Sequence, residues 1–434
     1  MITEKFNNKT ALTFFILLAL VFFFSNQNIN YLDEIETYKS LDSTENMAIE
    51  GSLQRRITFS LFGLFSILFL MFTSKRNKFQ WEGSLRWLLL FFVIWSFASV
   101  AWSINVGITI RRLIVFGIFC LGAWTTASRI SVNFIPLCVF YITALYLGIG
   151  FLVEIVFHNF QPFTSDYRFS GTLHPNIQGI NCSMMFITAV LLADSQKRSR
   201  YFFLFAAIFA LFAIILTKSR TSLFSALLSL TVLFFIISTK SRKYTYILLL
   251  FIIWISCFLT IIGEDFLIAT WNKGILLGRE QDSRILTFTG RTELWKAAFK
   301  YIRLSPVLGY GFHTFWVPNH IREFSDIVGI AITNAHSAYL NQLLNTGIIG
   351  FITYVSILII GTKNAFIKLK NTQEIGYGFL FTFLIYFLFH GLMESAILEF
   401  SSLVSFLFIW GLLYLASHGC ISSGEIHTRF HVFL

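Results

Sequence analysis

Runs of roughly 17–25 apolar residues recur along this chain from one end to the other, and that repetition limits what it can fold into. At 1.5 Å of rise per residue, about 20 residues in a helix cross the ~30 Å hydrocarbon core of a bilayer. Only 13% of the residues are charged, about half the usual share in soluble domains. Fifty-three phenylalanines against five prolines fit long apolar helices better than a loop-rich fold. The expected class is an all-α polytopic membrane protein.

The runs divide into about twelve spans, near 10–25, 57–73, 87–103, 113–128, 134–157, 178–194, 201–217, 222–239, 244–262, 344–361, 376–393 and 397–416. Ala11 to Phe24 lacks a clear small-residue cleavage site and reads as an uncleaved first span. Placing the N-terminus in the cytoplasm puts every basic connection inside. These are Lys5 and Lys9, then Lys75, Arg76, Lys78 and Arg86, then Arg129. Further along come Lys197, Arg198 and Arg200, then Lys240, Arg242 and Lys243, then Lys363, Lys368 and Lys370. This is the positive-inside pattern, and it explains most of the formal +11 charge without nucleic acid. The even span count returns the tail to the cytoplasm.

Three outside segments are long. Residues 26–56 lean acidic through Asp33, Glu34, Glu36, Asp42 and Glu45, and 158–177 form a short polar loop. Residues 263–343 are the only extramembrane stretch large enough for a small domain or lid. The chain thus divides into 1–262, a bundle of about nine helices; 263–343, the large loop; and 344–434, the last helices and the tail. Within the loop, Trp295 to Ile302 reads as an amphipathic helix lying on the membrane surface. The five cysteines form no CxxC pair, and four lie in or near apolar runs. They read as small buried hydrophobes, with no disulfide framework, metal site or cofactor implied.

Exceptions to the charge rule point to function. Lys218-Ser219-Arg220-Thr221 joins two spans on the outside with almost no loop. An ionisable residue at that depth is costly and is a functional candidate; the alternative is snorkelling to lipid phosphate, which suits Lys218 better than Arg220. Arg168 precedes Gly171, which allows a sharp turn, and Pro175, which can start a helix whose free N–H groups favour anions. His174, just before that proline, reads as structural, fixing the turn through a backbone hydrogen bond. Arg291 opens the amphipathic helix, with Thr289 or Thr292 as a cap. A cation there opposes the helix dipole, so a partner is expected: a diphosphate matched to the guanidinium fork, or Glu293 or Asp282. Arg279 and Arg284 are weaker candidates of the same kind. Ser305 to Phe312 reads as a tight backbone crossover, because no phosphate-binding fingerprint is present.

His336 lies in Asn334-Ala335-His336-Ser337-Ala338-Tyr339, where the large loop enters the tenth span. Gly347 and Gly350 beyond it are expected to admit a neighbouring helix closely and hold the histidine rigid. With an ordinary pKa of about 6.5, histidine suits a general base taking a proton from a sugar hydroxyl. The alternative is a histidine hydrogen-bonded at a helix end. Glu394, ending the eleventh span on the same side, could orient His336 or an arginine, or bind an acceptor sugar. Arg168, Arg220, Arg291, His336 and Glu394 are spread over more than 220 positions, yet all are assigned to one membrane face.

In this order, these motifs resemble the O-antigen ligase and O-antigen/exopolysaccharide polymerase superfamily. The resemblance covers most of the chain and is strongest from Arg168 to Gly350. It rests on Arg168-Phe169-Ser170-Gly171 with His174-Pro175-Asn176, and on Ser219-Arg220-Thr221. It rests also on Gly290 to Trp295 with Pro306 to Gly311, and on His336-Ser337 followed by Gly347 to Gly350. It implies a GT-C-like, metal-independent, inverting glycosyltransferase in the bacterial inner membrane. The donor would be a glycan on undecaprenyl diphosphate at the periplasmic face, and the other substrate a glycan acceptor. Arginines at 220 and 291 would hold the diphosphate and His336 would activate the acceptor hydroxyl. Chain-length regulators or flippases are candidate partners. Residues 26–56 form a longer loop than the resemblance leads one to expect. Gly311 to Trp316 leans the reading toward an exopolysaccharide-type polymerase over a ligase acting on lipid A-core. A small-anion transporter is disfavoured: it would carry its charges near the bilayer midplane and show matching halves.

Overall fold

A computed structural model describes residues 53–72, 80–81, 83–128, 130–164, 167–238, 288–329, 331–396 and 402–418, with isolated positions between 245 and 252. The expected first span, most of 244–262 and the acidic stretch Asp33 to Glu45 lie outside the described residues. So do Arg279, Asp282, Arg284, Cys257, Cys420 and the basic residues of several connections.

Among the described residues, nine helices are long and apolar enough to cross a membrane. The chain is an all-α polytopic membrane protein, with one pair of two-residue strands among the described residues. In order the elements are α1 (Leu53–Phe72), β1 (Gln80–Trp81), α2 (Ser84–Ala98), α3 (Val106–Ala127), α4 (Ile135–Val156), α5 (Pro175–Ser195), α6 (Arg200–Thr217) and α7 (Arg220–Ile237). Then come α8 (Phe288–Leu304), α9 (Pro318–Val328), α10 (Ala338–Thr372), α11 (Ile375–Met393), α12 (Leu403–Leu415) and β2 (Ser417–His418). The helix answering to the expected 397–416 span is described only from Leu403.

Two compact units draw on separate stretches of chain. The first takes its described residues from 53–132, 292–364 and 391–418, and the second from 133–291 and 365–390.

In the first unit α3 packs between α1 and α12. A side chain at Gly122 would collide with the Phe62 ring at 2.4 Å, so glycine there lets that ring enter. Phe406 closes the cluster edge-on, its centroid 5.7 Å from Phe62 and 6.2 Å from Phe119. Gln80 pairs with His418 and Trp81 with Ser417. The connection after α1 and the segment after α12 therefore meet.

The second unit shows how sequence chooses which face meets lipid. On α6, Tyr201, Phe202, Phe205, Ile208 and Phe212 are exposed, while Ala206, Ala207, Ala210 and Ala213 are buried. Small residues at a helix interface let backbones approach, and lipid accommodates the large ones. α5 carries Gln178, Asn181, Ser183 and Thr188 within an apolar run, and all four are buried. Polar side chains at membrane depth turn toward protein. Gly179 brings α5 against Ser219, and Ser183 Oγ donates to Ser222 O at 3.2 Å.

Candidate functional site

His336 is held by its own local chemistry. Its φ is +47°, a left-handed conformation uncommon outside glycine. Asn334 supports that turn, its Oδ1 accepting the His336 N–H at 2.8 Å; Asn and Asp side chains commonly bond the backbone two residues on. Ser337 lies at the start of α10, where its Oγ accepts from Leu340 N at 3.5 Å and donates to Gly391 O at 3.4 Å. On the other flank, Ala335 N donates to Asn341 Oδ1 at 3.1 Å, and Ala335 O accepts from Trp295 Nε1 at 3.0 Å.

Glu394 comes directly after α11, and its Oε2 lies 3.4 Å from His336 Nδ1. The two side chains are 13% and 23% exposed, enough for a reactant to reach and dry enough to strengthen the contact. With the Nδ1 proton given to Glu394, Nε2 keeps its lone pair and can accept another proton. That is the arrangement a general base needs.

Below His336, α10 is broken. Gly347 has φ +63° and ψ −169°, open to little but glycine. The carbonyls freed by the break are used: Leu344 O and Asn345 O accept from Tyr310 N and Gly311 N at 2.9 Å each, and Thr346 O accepts from Trp95 Nε1 at 3.0 Å. The Ser305–Gly311 turn presses against the break, as the tight crossover expected there requires. The expectation for Gly347 needs correction. A Cβ on Gly347 would lie 2.1 Å from Val307 O, so this glycine admits the backbone of the loop and not another helix. Gly350 meets Thr346, one turn back on the same helix, and Trp95.

Two further expectations for the loop change. α8 begins at Phe288, so Thr289 and Thr292 lie inside its first turn and not at its cap. On the helix expected to lie on the membrane surface, the stripe carrying Leu294 and Ala298 is fully buried in protein, while Phe299 is exposed. Tyr301 on the same stripe stacks edge-on with Phe315 and His320, and donates to Glu323 of α9. Burial and that carboxylate push the Tyr301 hydroxyl up to about 12. Glu293 pairs with Lys296 at 3.0 Å. Arg291 is half-buried in the first turn of α8.

Sequence reasoning passed over other groups near this loop. His313, at φ +55°, is half-buried, and desolvation and the charge of Arg112 hold it down to about 3, so it is neutral at physiological pH. Arg55 and Arg56 stand at the start of the described part of α1, and Arg111 and Arg112 in the second turn of α3. They are the same departure from the charge rule as Arg220, and that signal could have found them.

In the second unit the structure brings Arg168 to the α6–α7 turn. Its Nε donates to Thr217 O at 3.3 Å and its Nη2 to Asn176 Oδ1 at 2.9 Å. His174 caps α5, its Nδ1 accepting from Asn176 N at 3.3 Å, and Pro175 is the first helical residue. Both features match the structural reading of that turn. Lys218 closes α6 in the left-handed conformation at φ +52°, and half-buried Arg220 starts α7. Two helix N-termini with an arginine at each make a setting that favours an anion: the dipoles and guanidinium groups attract the same charge. Among the described residues, no three His, Cys, Asp or Glu side chains gather as metal ligands.

Residues 205–355 match the family model described as O-antigen ligase. The match takes in Arg220, Arg291, His336 and the Gly347 break, and leaves Arg168, His174 and Glu394 outside it. A comparison with curated proteins finds none that matches.

Proposed function

We propose that this chain, whose residues 205–355 match the family model described as O-antigen ligase, acts as a member of the O-antigen ligase and polymerase superfamily and transfers a glycan from undecaprenyl diphosphate to a sugar hydroxyl. The reaction takes place at the periplasmic face of the bacterial inner membrane, with both termini in the cytoplasm. The setting of His336 supports this most: a strained histidine whose Nδ1 faces Glu394, leaving Nε2 for a substrate proton. His336 takes the proton of the acceptor hydroxyl as its oxygen attacks the anomeric carbon. The bond to the diphosphate breaks from the opposite side, so configuration inverts. Arg168, Arg220 and Arg291 offset the charge that develops on the leaving diphosphate, a role that needs no metal. Glu394 holds the imidazole, and His174 shapes the Arg168 turn.

The favoured form is a polymerase extending a lipid-linked glycan, with chain-length regulators or flippases as candidate partners. The alternative is a ligase delivering polymer to lipid A-core. The glycan profile of a deletion strain decides between them. A single repeat left on lipid A-core marks a lost polymerase, and full polymer stranded on the lipid carrier marks a lost ligase. An unchanged profile removes both.

Arg220→Ala and Arg291→Ala should each lower kcat/KM for the lipid-linked donor by about 10- to 100-fold, the scale of a lost charge-assisted contact. Lys363→Ala and Lys370→Ala, at the opposite face, should leave it within about twofold. Equal losses in both sets would count against a periplasmic diphosphate site.

A further inference from the structure

Glu154 is a carboxylate in the last turn of α4, within an apolar run, and only 2% exposed. An ionisable group at that depth persists where protein donors replace its water. Oε1 accepts from Ser170 N at 2.9 Å and Gly171 N at 2.7 Å, with the Ser170 hydroxyl at 3.5 Å. Oε2 accepts from the Tyr167 hydroxyl. All three donor residues belong to the loop that carries Arg168, and they flank it on both sides.

The rest of the loop is shaped to reach that carboxylate. Gly171, at φ +60°, lies so near α4 that a Cβ on it would come 2.6 Å from Gly150 Cα. Phe169 stacks on Phe151 of α4 with centroids 4.2 Å apart, and its N–H donates to Leu216 O at 2.9 Å. Between these fixed points Arg168 extends to Thr217 and Asn176. We infer that Glu154 is a positioning residue: it straps the 167–171 loop to α4 and thereby aims the Arg168 guanidinium at the lipid diphosphate. This rests on the diphosphate reading of Arg168. Without the carboxylate, two buried N–H groups lose their acceptor and the loop has to rise toward water to satisfy them.

The test uses purified full-length protein in lipid nanodiscs and two readouts. The first is labelling of a Thr172→Cys probe, a position 8% exposed, by a membrane-impermeant maleimide; protein without the probe corrects for native cysteines. The second is the Kd for undecaprenyl diphosphate. E154A should admit the label and raise that Kd by about 10- to 100-fold, as should R168A for the Kd alone. The double variant should bind no more than about threefold worse than R168A, because both changes remove one contact. E154Q retains an oxygen for the Ser170 and Gly171 N–H groups and should keep the label out. Protection of Thr172→Cys in E154A would overturn the strap, and additive losses in the double variant would overturn its action through Arg168. If R168A leaves the Kd unchanged while E154A still admits the label, the diphosphate reading falls and the strap stands.

Discussion

Replacing His336 with alanine should abolish polymer or ligated glycan while leaving the amount of protein in the membrane unchanged. The expected loss in rate is at least about 100-fold, the lower end of what a positioned general base contributes. Folding should survive, because the imidazole is 23% exposed and its ring pairs with Glu394. Of the hydrogen bonds that shape the turn, the one to Asn334 uses the backbone N–H of His336, and those of Ala335 and Ser337 do not involve residue 336. Alanine also carries a steric cost at φ +47°, as any non-glycine residue does there, so the histidine itself adds no special backbone strain. Glycan of normal length and amount in the variant would remove His336 from the chemistry.

Gly347→Ala should damage the fold and, through it, the site. The new Cβ would sit 2.1 Å from Val307 O and 2.4 Å from Val307 C, both backbone atoms that cannot rotate away. The φ +63°, ψ −169° conformation adds its own penalty for any side chain. Strain and overpacking together cost about 2–5 kcal/mol. Thermal unfolding in detergent should show that loss as a large fall in Tm, with detachment of the 305–311 turn from α10. Gly117→Ala, in α3, is the contrasting case: nothing lies within 4 Å of where its Cβ would stand. It should cost much less, and equal losses at the two glycines would mean the break in α10 is not what Gly347 protects.

Much of the helical frame could be read from sequence because hydrocarbon imposes a coarse rule. A span has to be apolar and about 20 residues long, and basic residues mark one side. The expected spans at 134–157, 178–194 and 201–217 lie within or close to α4, α5 and α6. Pro175 as the first residue of α5, with His174 at its cap, was equally legible, because a residue that fixes its own φ leaves few options. The large loop was harder. Its amphipathic stripe is the same whether it lies on lipid or on protein, and only the packing of Leu294, Ala298 and Tyr301 tells the two apart. α9 went unforeseen: it is 11 residues long, and its apolar positions, Ile321, Phe324, Ile327 and Val328, are set among polar residues.

The candidate site divides along the same line. The residue types were visible: a histidine at the end of a loop and arginines where charge should be scarce. Glu154 carried that signal too, as a lone carboxylate in an apolar run, but nothing nearby in sequence named its partners. Those lie 13 to 17 positions away, beyond a turn whose course depends on Gly171 meeting Gly150. His336 and Glu394 are 58 positions apart, joined only because α10 and α11 run out and back. Sequence by itself determined that the chain spans a membrane, where its helices run and which residue types could do chemistry. Those follow from local properties, hydrophobicity and charge per residue. Tertiary structure alone decided that His336 faces Glu394, that Gly347 breaks α10 to admit the Val307 backbone, and that Glu154 holds the Arg168 loop. Each of these depends on a distance of a few ångströms between segments remote in the chain, and hydropathy carries no record of such distances.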